Sequence, residues 1–201
     1  MFVVCRNLPM RVSLKKIANV QMGYTFRSGL SHDPDASVAV IQMKDLLDSN
    51  VLDASGLFNV EFDRVIGDQM VHGGDLLFRS RGNLSQAAIV EEEPGVAIAA
   101  APLLRIRVFD PSVVLPQYLC WWIEQREAQA FFSSRAKGSA QRMISKNTVE
   151  ELVVPVPPLE QQMVIVDIAS LAQREGVLTN MLLQKRKQLI SFQLNQIIKG
   201  E

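Results

Sequence analysis

Twelve consecutive positions, Arg135 to Lys146, hold four cations and no acid. Arg135, Lys137, Arg142 and Lys146 are interleaved there with Ser139 and Gln141, whose side chains both donate and accept hydrogen bonds. That mixture suits a polyanion: the cations neutralise phosphates, and Ser and Gln bond phosphate oxygens or base edges. Two other segments carry the same residue types. Arg79, Arg81 and Asn83 follow the apolar triplet Leu76-Leu77-Phe78, and Arg27 stands in the polar turn Tyr24-Thr25-Phe26-Arg27-Ser28. Arginine pairs two-pronged with guanine, and glutamine or asparagine with adenine. The alternative reading is that these are ordinary solvated loop charges. Net charge does not choose between the two, because 21 Lys and Arg balance 21 Asp and Glu. A surface for nucleic acid must therefore be built locally. Glu91-Glu92-Glu93 would repel phosphate and should face away from it, or it is a plain solvated turn.

Other chemistries find little support. The single Pro-Pro pair is preceded by Val156 and followed by Leu159, unlike the Asn- or Asp-Pro-Pro-aromatic motif of adenine methyltransferases. No lysine has an acid two positions before it, as a metal-dependent nuclease would be expected to offer. Gly73-Gly74 alone is a weak phosphate-loop signal. His32 and His72 are isolated and read as turn or surface residues; His32 with Asp33 and Asp35 is thin ground for a metal. No catalytic residue, metal ligand or cofactor is assigned. Cys5 and Cys120 lack metal-ligand spacing, and Cys120 within Tyr118–Trp122 reads as a buried thiol; a reducing cytoplasm fits best, with a disulfide as the alternative. The N-terminus is a poor signal peptide, and no apolar run approaches a membrane span.

The elements that position these residues form a mixed α/β (α+β) pattern. A short helix is predicted over Ser13–Val20, with Ser13 as cap and Leu14, Ile17 and Ala18 on one face. Strands are predicted over Ser37–Met43, Leu76–Phe78, Gln86–Val90, Val96–Ala100, Leu103–Phe109 and Leu152–Val156. Turns fall at His72–Asp75 and Asp53–Gly56, and residues 44–70 are ambiguous. In Leu103–Phe109, Leu104, Ile106 and Val108 alternate with Arg105 and Arg107, the period of a half-buried strand. Short strands this close imply a curved mixed or antiparallel sheet. Pro116–Phe132 reads as one amphipathic helix burying Leu119, Trp122, Ile123, Ala130 and Phe131. Ala136–Arg142 is a loop around Gly138.

After Val154-Pro155-Val156-Pro157-Pro158 the pattern stays helical to about Lys199, so the chain divides into a domain, 1–157, and a helix, 158–201. Ile168, Leu171, Leu178, Leu182, Leu189 and Phe192 recur at spacings of three, four and seven, a coiled-coil-like seam with Glu175 and Lys185 as polar interruptions. At 1.5 Å per residue this helix is roughly 60 Å long, while a domain of ~160 residues has a radius of gyration near 15 Å. Either it breaks, most easily at Gly176, and folds back as a hairpin, or it protrudes and its seam pairs with another helix.

Four segments, in order along most of the chain, resemble the specificity subunit of type I restriction–modification systems. They are Leu14–Ala18 with Gly23-Tyr24-Thr25-Phe26, Gly74–Gly82, Gly138–Ile144, and Leu152–Gln162 with its prolines, the last being the most specific alone. The resemblance implies a non-catalytic subunit that recognises double-stranded DNA in the cytoplasm. Methyltransferase and restriction subunits would be its partners, and S-adenosylmethionine and ATP would belong to them. The family's usual member carries two recognition domains and two helices packed antiparallel. This chain has one of each and looks like a half-size form, which implies a homodimer through the seam, reading a split palindrome. A helix of roughly 60 Å spans about 17 base pairs, less any overlap. Two other classes stay open: a structural coiled-coil adaptor without DNA binding, which leaves the acid-free loop unexplained, and a stand-alone DNA-modifying enzyme.

Overall fold

Strand β8, Leu103–Val108, is the centre about which the domain is assembled. It pairs antiparallel with β2 (Ala18–Met22) on one side and β5 (Leu76–Arg79) on the other, and β6 (Ala87–Ile89) completes a four-stranded sheet in the order β2-β8-β5-β6. A second sheet has β3 (Val38–Ile41) between β4 (Phe58–Val60), antiparallel, and β7 (Ala97–Ala99), parallel. A third joins β1 (Met10–Ser13) to β9 (Val153–Val156). The helices are α1 (Pro116–Glu124), α2 (Arg126–Arg135), α3 (Lys146–Glu150) and α4 (Leu159–Lys199). This computed structural model describes residues 9–26, 33–47, 51–61, 67–82, 85–136, 138 and 142–199. The architecture is mixed α/β, with several sheets and a long C-terminal helix.

Strand periodicity explains the layering. Leu77 and Ala88 share one core with Ile41, Leu46, Val71, Ala97, Ala99 and Leu103, joining the first two sheets. Val38, Val40, Val60, Ile98 and Ala100 form another on the far side of the second sheet, with Tyr24 and Phe26 against it. Phe78 meets Phe132 of α2 at 5.2 Å between ring centroids. Fully burying a side chain of that size contributes up to about 3 kcal/mol. Cys120 is buried, its thiol donating to Ala87 O, and burial pushes its pKa up to about 12.

The chain crosses between sheets at Gly23. A Cβ there would lie 2.7 Å from the carbonyl carbon of Ala100, so only glycine fits the approach. The crossing is held by Gly23 N–H to Leu103 O at 2.8 Å and Tyr24 N–H to Ala99 O at 2.7 Å.

Three expectations are corrected. Ser13–Val20 is not a helix: Leu14–Lys16 makes a single 3-10 turn and Ala18–Met22 is β2. Ala18 and Val20 are buried with Asn19 exposed between them, and pairing along β8 satisfies a backbone that an isolated helical turn would leave open. Pro116–Phe132 is two helices, interrupted by extended backbone at Gln125. The break turns the second face, so Ala128 and Phe132 are buried, Ala130 is exposed and Phe131 is half-buried. The arginines of β8 are not its solvent face. Arg105 is 6% exposed, and Arg107 is half-buried.

Helix α4 starts from a fixed root. β9 carries Pro155 and, among the described residues, pairs only with β1, an edge position that tolerates proline. Tyr118 Oη donates to Pro155 O at 2.7 Å. Gln162 is wholly buried: its Oε1 accepts from Leu115 N–H, and its Nε2 donates to the carbonyls of Val113 and Pro157, each at 2.9 Å. The chain divides into two compact units, Met1–Met163 and Val164–Glu201, so this first turn belongs with the globular unit. From there α4 continues through Gly176 without a break, 41 residues in all, and the hairpin does not form. Among the described residues no helix is long and apolar enough to cross a membrane.

Candidate nucleic-acid interface

Two loops far apart in sequence are zipped together by backbone. Arg81 and Met143 form an antiparallel bridge; Ile144 N–H donates to Ser80 O at 2.8 Å, and Gly82 N–H to Arg142 O at 3.2 Å. Gly82 has φ +128°, a conformation side chains rarely adopt, which lets the first loop turn immediately after the bridge. Ser80 is buried, and its hydroxyl donates to Pro102 O. On the second loop Ser145 caps α3, its Oγ accepting from Thr148 N–H at 3.1 Å, while buried Ile144 and Val149 anchor the segment.

Arg79, Arg81 and Arg142 thus border one crevice, closed by Phe132 and Ala136 of the α2 end. Arg81 and Arg142 are exposed. Arg135 is exposed with its guanidinium 4.0 Å over the Phe131 ring, an arrangement that holds the charge at the surface. Lys146 pairs with Glu150 one helical turn on, at 3.5 Å. Arg79 is half-buried and donates to the Leu46 carbonyl, which ties β5 to the turn before residue 48. Arg27, Asn83, Lys137, Ser139 and Gln141 lie outside the described residues, as does His32. Residues 91–93 are exposed. Glu93 serves the neighbouring turn. It accepts from Gly73 N–H at 2.9 Å and lies 3.0 Å from His72 Nδ1, and these partners hold its carboxyl below the usual range. His72 sits in the turn as expected. Among the described residues no group of three His, Cys, Asp or Glu is placed to hold a metal.

Two features go beyond what the sequence pattern suggests. A cleft of about 450 Å³ lies beyond Pro102, lined by Thr25, Phe26, Gln42, Met43, Lys44 and Ala101. Lys44 Nζ stands 4.1 Å over the Phe58 ring, and the Ser80–Pro102 hydrogen bond joins this cleft to the basic loops. Its residues come from three separate stretches of the chain, Thr25-Phe26, Gln42–Lys44 and Ala100–Pro102, which no local pattern links.

The second is a buried polar network under β8. Asp75, 1% exposed, accepts from Arg107 Nε and Nη2 at 2.7 Å each and from His72 N–H at 2.8 Å. The Asp75 bond raises the Arg107 pKa. Arg105 donates to Met70 O at 2.6 Å and Gln21 Oε1 at 2.5 Å, and burial, with Arg107 nearby, lowers its pKa. The residue types were visible in the sequence, an acid in the turn before Leu77 and arginines alternating in β8, but the register that sets Leu77 against Arg105 is decided by the fold.

In the second unit, all six seam residues are exposed, from 56% at Leu189 to 71% at Leu182.

The sequence matches the type I restriction modification DNA specificity domain over residues 10–184, and the chain belongs to that family. No curated protein matches it. Among solved structures it is similar to the HsdS subunit from Thermoanaerobacter tengcongensis, with TM-score 0.62 and 17% identity over 85% of this chain and 38% of that one. It is also similar to the S subunit of a type I restriction-modification system from M. genitalium, with TM-score 0.54 and 10% identity over 85% of this chain and 40% of that one. A third similar chain, from a structural study of type I R-M system assembly and conformational transition, has TM-score 0.59 and 16% identity, over 87% of this chain and 41% of the other. The chain spans about two-fifths of the length of these relatives.

Proposed function

We propose that this chain is the sequence-specific, non-catalytic DNA-recognition subunit of a type I restriction–modification complex, with residues 1–157 as reader and 158–201 as dimerisation and spacer helix. The observation that carries the reading is the family match over residues 10–184, whose span includes both basic loops and most of the seam. The convergence of Arg81 and Arg142 supports the loops as the binding face. Phosphate contacts from such exposed guanidiniums position the duplex, and Asn83, Ser139 and Gln141 on the same loops read bases. Two copies joined through Ile168, Leu171, Leu178, Leu182, Leu189 and Phe192 in a coiled coil present two identical readers to a split palindrome.

The bound DNA is handed to methyltransferase subunits and, in a restriction complex, to restriction subunits. S-adenosylmethionine and ATP belong to those partners, and this chain needs no cofactor. The work takes place in the cytoplasm, where the DNA and the partners are.

The test is selection from a pool of duplexes with randomised positions. The purified chain, alone and with a methyltransferase subunit encoded beside it, should enrich a split sequence with identical halves in inverted order. It should leave DNA unmethylated and uncut when alone. Absence of any enriched sequence in both conditions, or methylation by the chain alone, sinks the reading.

A further inference from the structure

The α4 seam is a mirror of itself. Ile168 and Phe192 lie twelve positions to either side of Asn180, Leu171 and Leu189 nine, and Leu178 and Leu182 two. The two polar interruptions obey the same mirror, with opposite signs: Glu175 and Lys185 each lie five positions from Asn180. The helix is unbroken across this stretch, so all eight residues keep one helical phase, and all eight are exposed. A seam whose apolar positions mirror each other and whose charges invert across the mirror is complementary to a second copy of itself running the other way.

The alternatives place charge badly. In a parallel pair at equal height, Glu175 faces Glu175 and Lys185 faces Lys185, between apolar layers where repulsion is poorly screened. An antiparallel pair slipped by seven positions sets Glu175 against Leu178 or Phe192 and Lys185 against Ile168 or Leu182, so each charge is desolvated without a partner. Of these arrangements, the unslipped antiparallel one alone sets every apolar seam residue against an apolar partner and each charge against its opposite.

We propose that α4 dimerises antiparallel in this single register, with the twofold axis level with Asn180 and Glu175 of each copy ion-paired to Lys185 of the other. The proposal rests on the reading that α4 joins two copies antiparallel, as the helices of its family pack, and what it adds is the register and the Glu175–Lys185 ion pairs that hold it. The register in turn fixes the reach of the dimer. Leu159 lies 21 positions from Asn180, so the two helix starts stand about 63 Å apart along the axis at 1.5 Å per residue. The ion pairs act as the check that prevents slippage and hence a change in target spacing.

Charge reversal in the full chain tests this, with dimers counted by light scattering and by native mass. Glu175→Lys and Lys185→Glu should each weaken the homodimer about tenfold or more, because each puts like charges at both crossing points. Mixed together, the two single variants should form a heterodimer, which also shows that both are folded. The double variant E175K/K185E should dimerise like the wild type, yet refuse to mix with it. Single variants that dimerise as well as the wild type, or a double variant that pairs freely with the wild type as a parallel helix pair would, overturn the register and leave the dimer standing. A wild-type chain that stays monomeric at high concentration removes the dimer itself.

Discussion

The arginines of β8 and those of the zipped loops are chemically the same group in opposite circumstances. Arg105 and Arg107 are turned into the domain: Met70 O, Gln21 and the buried carboxylate of Asp75 accept from them, although Arg105 Nε is buried without a partner. Arg81 and Arg142 lie on loops whose hydrogen bonds are made by backbone, which leaves their guanidiniums at the surface. The difference teaches where a cation is available to an outside anion. Availability follows from whether the local backbone can satisfy itself, and a strand paired on both sides over a polar turn recruits its arginines inward. The loop pair needs neither arginine for its own closure.

The comparison is broken most severely at Asp75. Replacing it with alanine leaves Arg107 without its carboxylate and His72 N–H without an acceptor, and should cost about 3 kcal/mol of stability. A denaturant midpoint unchanged from wild type would show that the inner arginines do not depend on it. The outer set should respond in the opposite way. Arg81→Ala combined with Arg142→Ala should leave stability within about 0.5 kcal/mol of wild type. The same pair should weaken duplex binding about tenfold and reduce the salt slope by about one for each phosphate no longer neutralised. Titrations at several salt concentrations read both effects, and unchanged binding removes this loop pair from the interface.

Arg105→Met sharpens the contrast within the inner set. It removes a buried cation but strands no carboxylate: Met70 O keeps Arg107 Nη2, and half-buried Gln21 can take water. The stability change, read from the same denaturant titration, should stay within about 1 kcal/mol, well short of the Asp75 effect. The smallest effect belongs to Lys146→Ala. Its partner Glu150 is a single helical turn away at the surface, so thermal unfolding should register at most about 0.5 kcal/mol.

Much of the architecture is legible in local pattern. The apolar triplet Leu76–Phe78, the alternation of Leu103–Val108, the turn at His72–Asp75 and the proline-led start of α4 all depend on neighbours a few residues apart, where periodicity and backbone restriction act. Ser13–Val20 imitates a helix because the apolar residues Leu14, Ile17 and Ala18 fit one helical face, while the partner that makes Ala18–Met22 a strand is β8, far along the chain. The break at Gln125 carries no glycine or proline to announce it. At the candidate interface, the residue types of Arg81 and Arg142 are visible in the sequence, but their meeting is not, because it depends on a bridge from Arg81 to Met143.

The amino-acid order alone determines the helix seam, its mirror about Asn180, and the acid-free run from Arg135 to Lys146, since helical spacing and charge are properties of consecutive residues. Tertiary structure decided which arginines remain outside, which glycine is irreplaceable at the Ala100 crossing, and that Gln162 roots the helix in the domain. Those outcomes depend on backbone groups distant in sequence finding or lacking partners once water is excluded, and local sequence carries no record of that pairing.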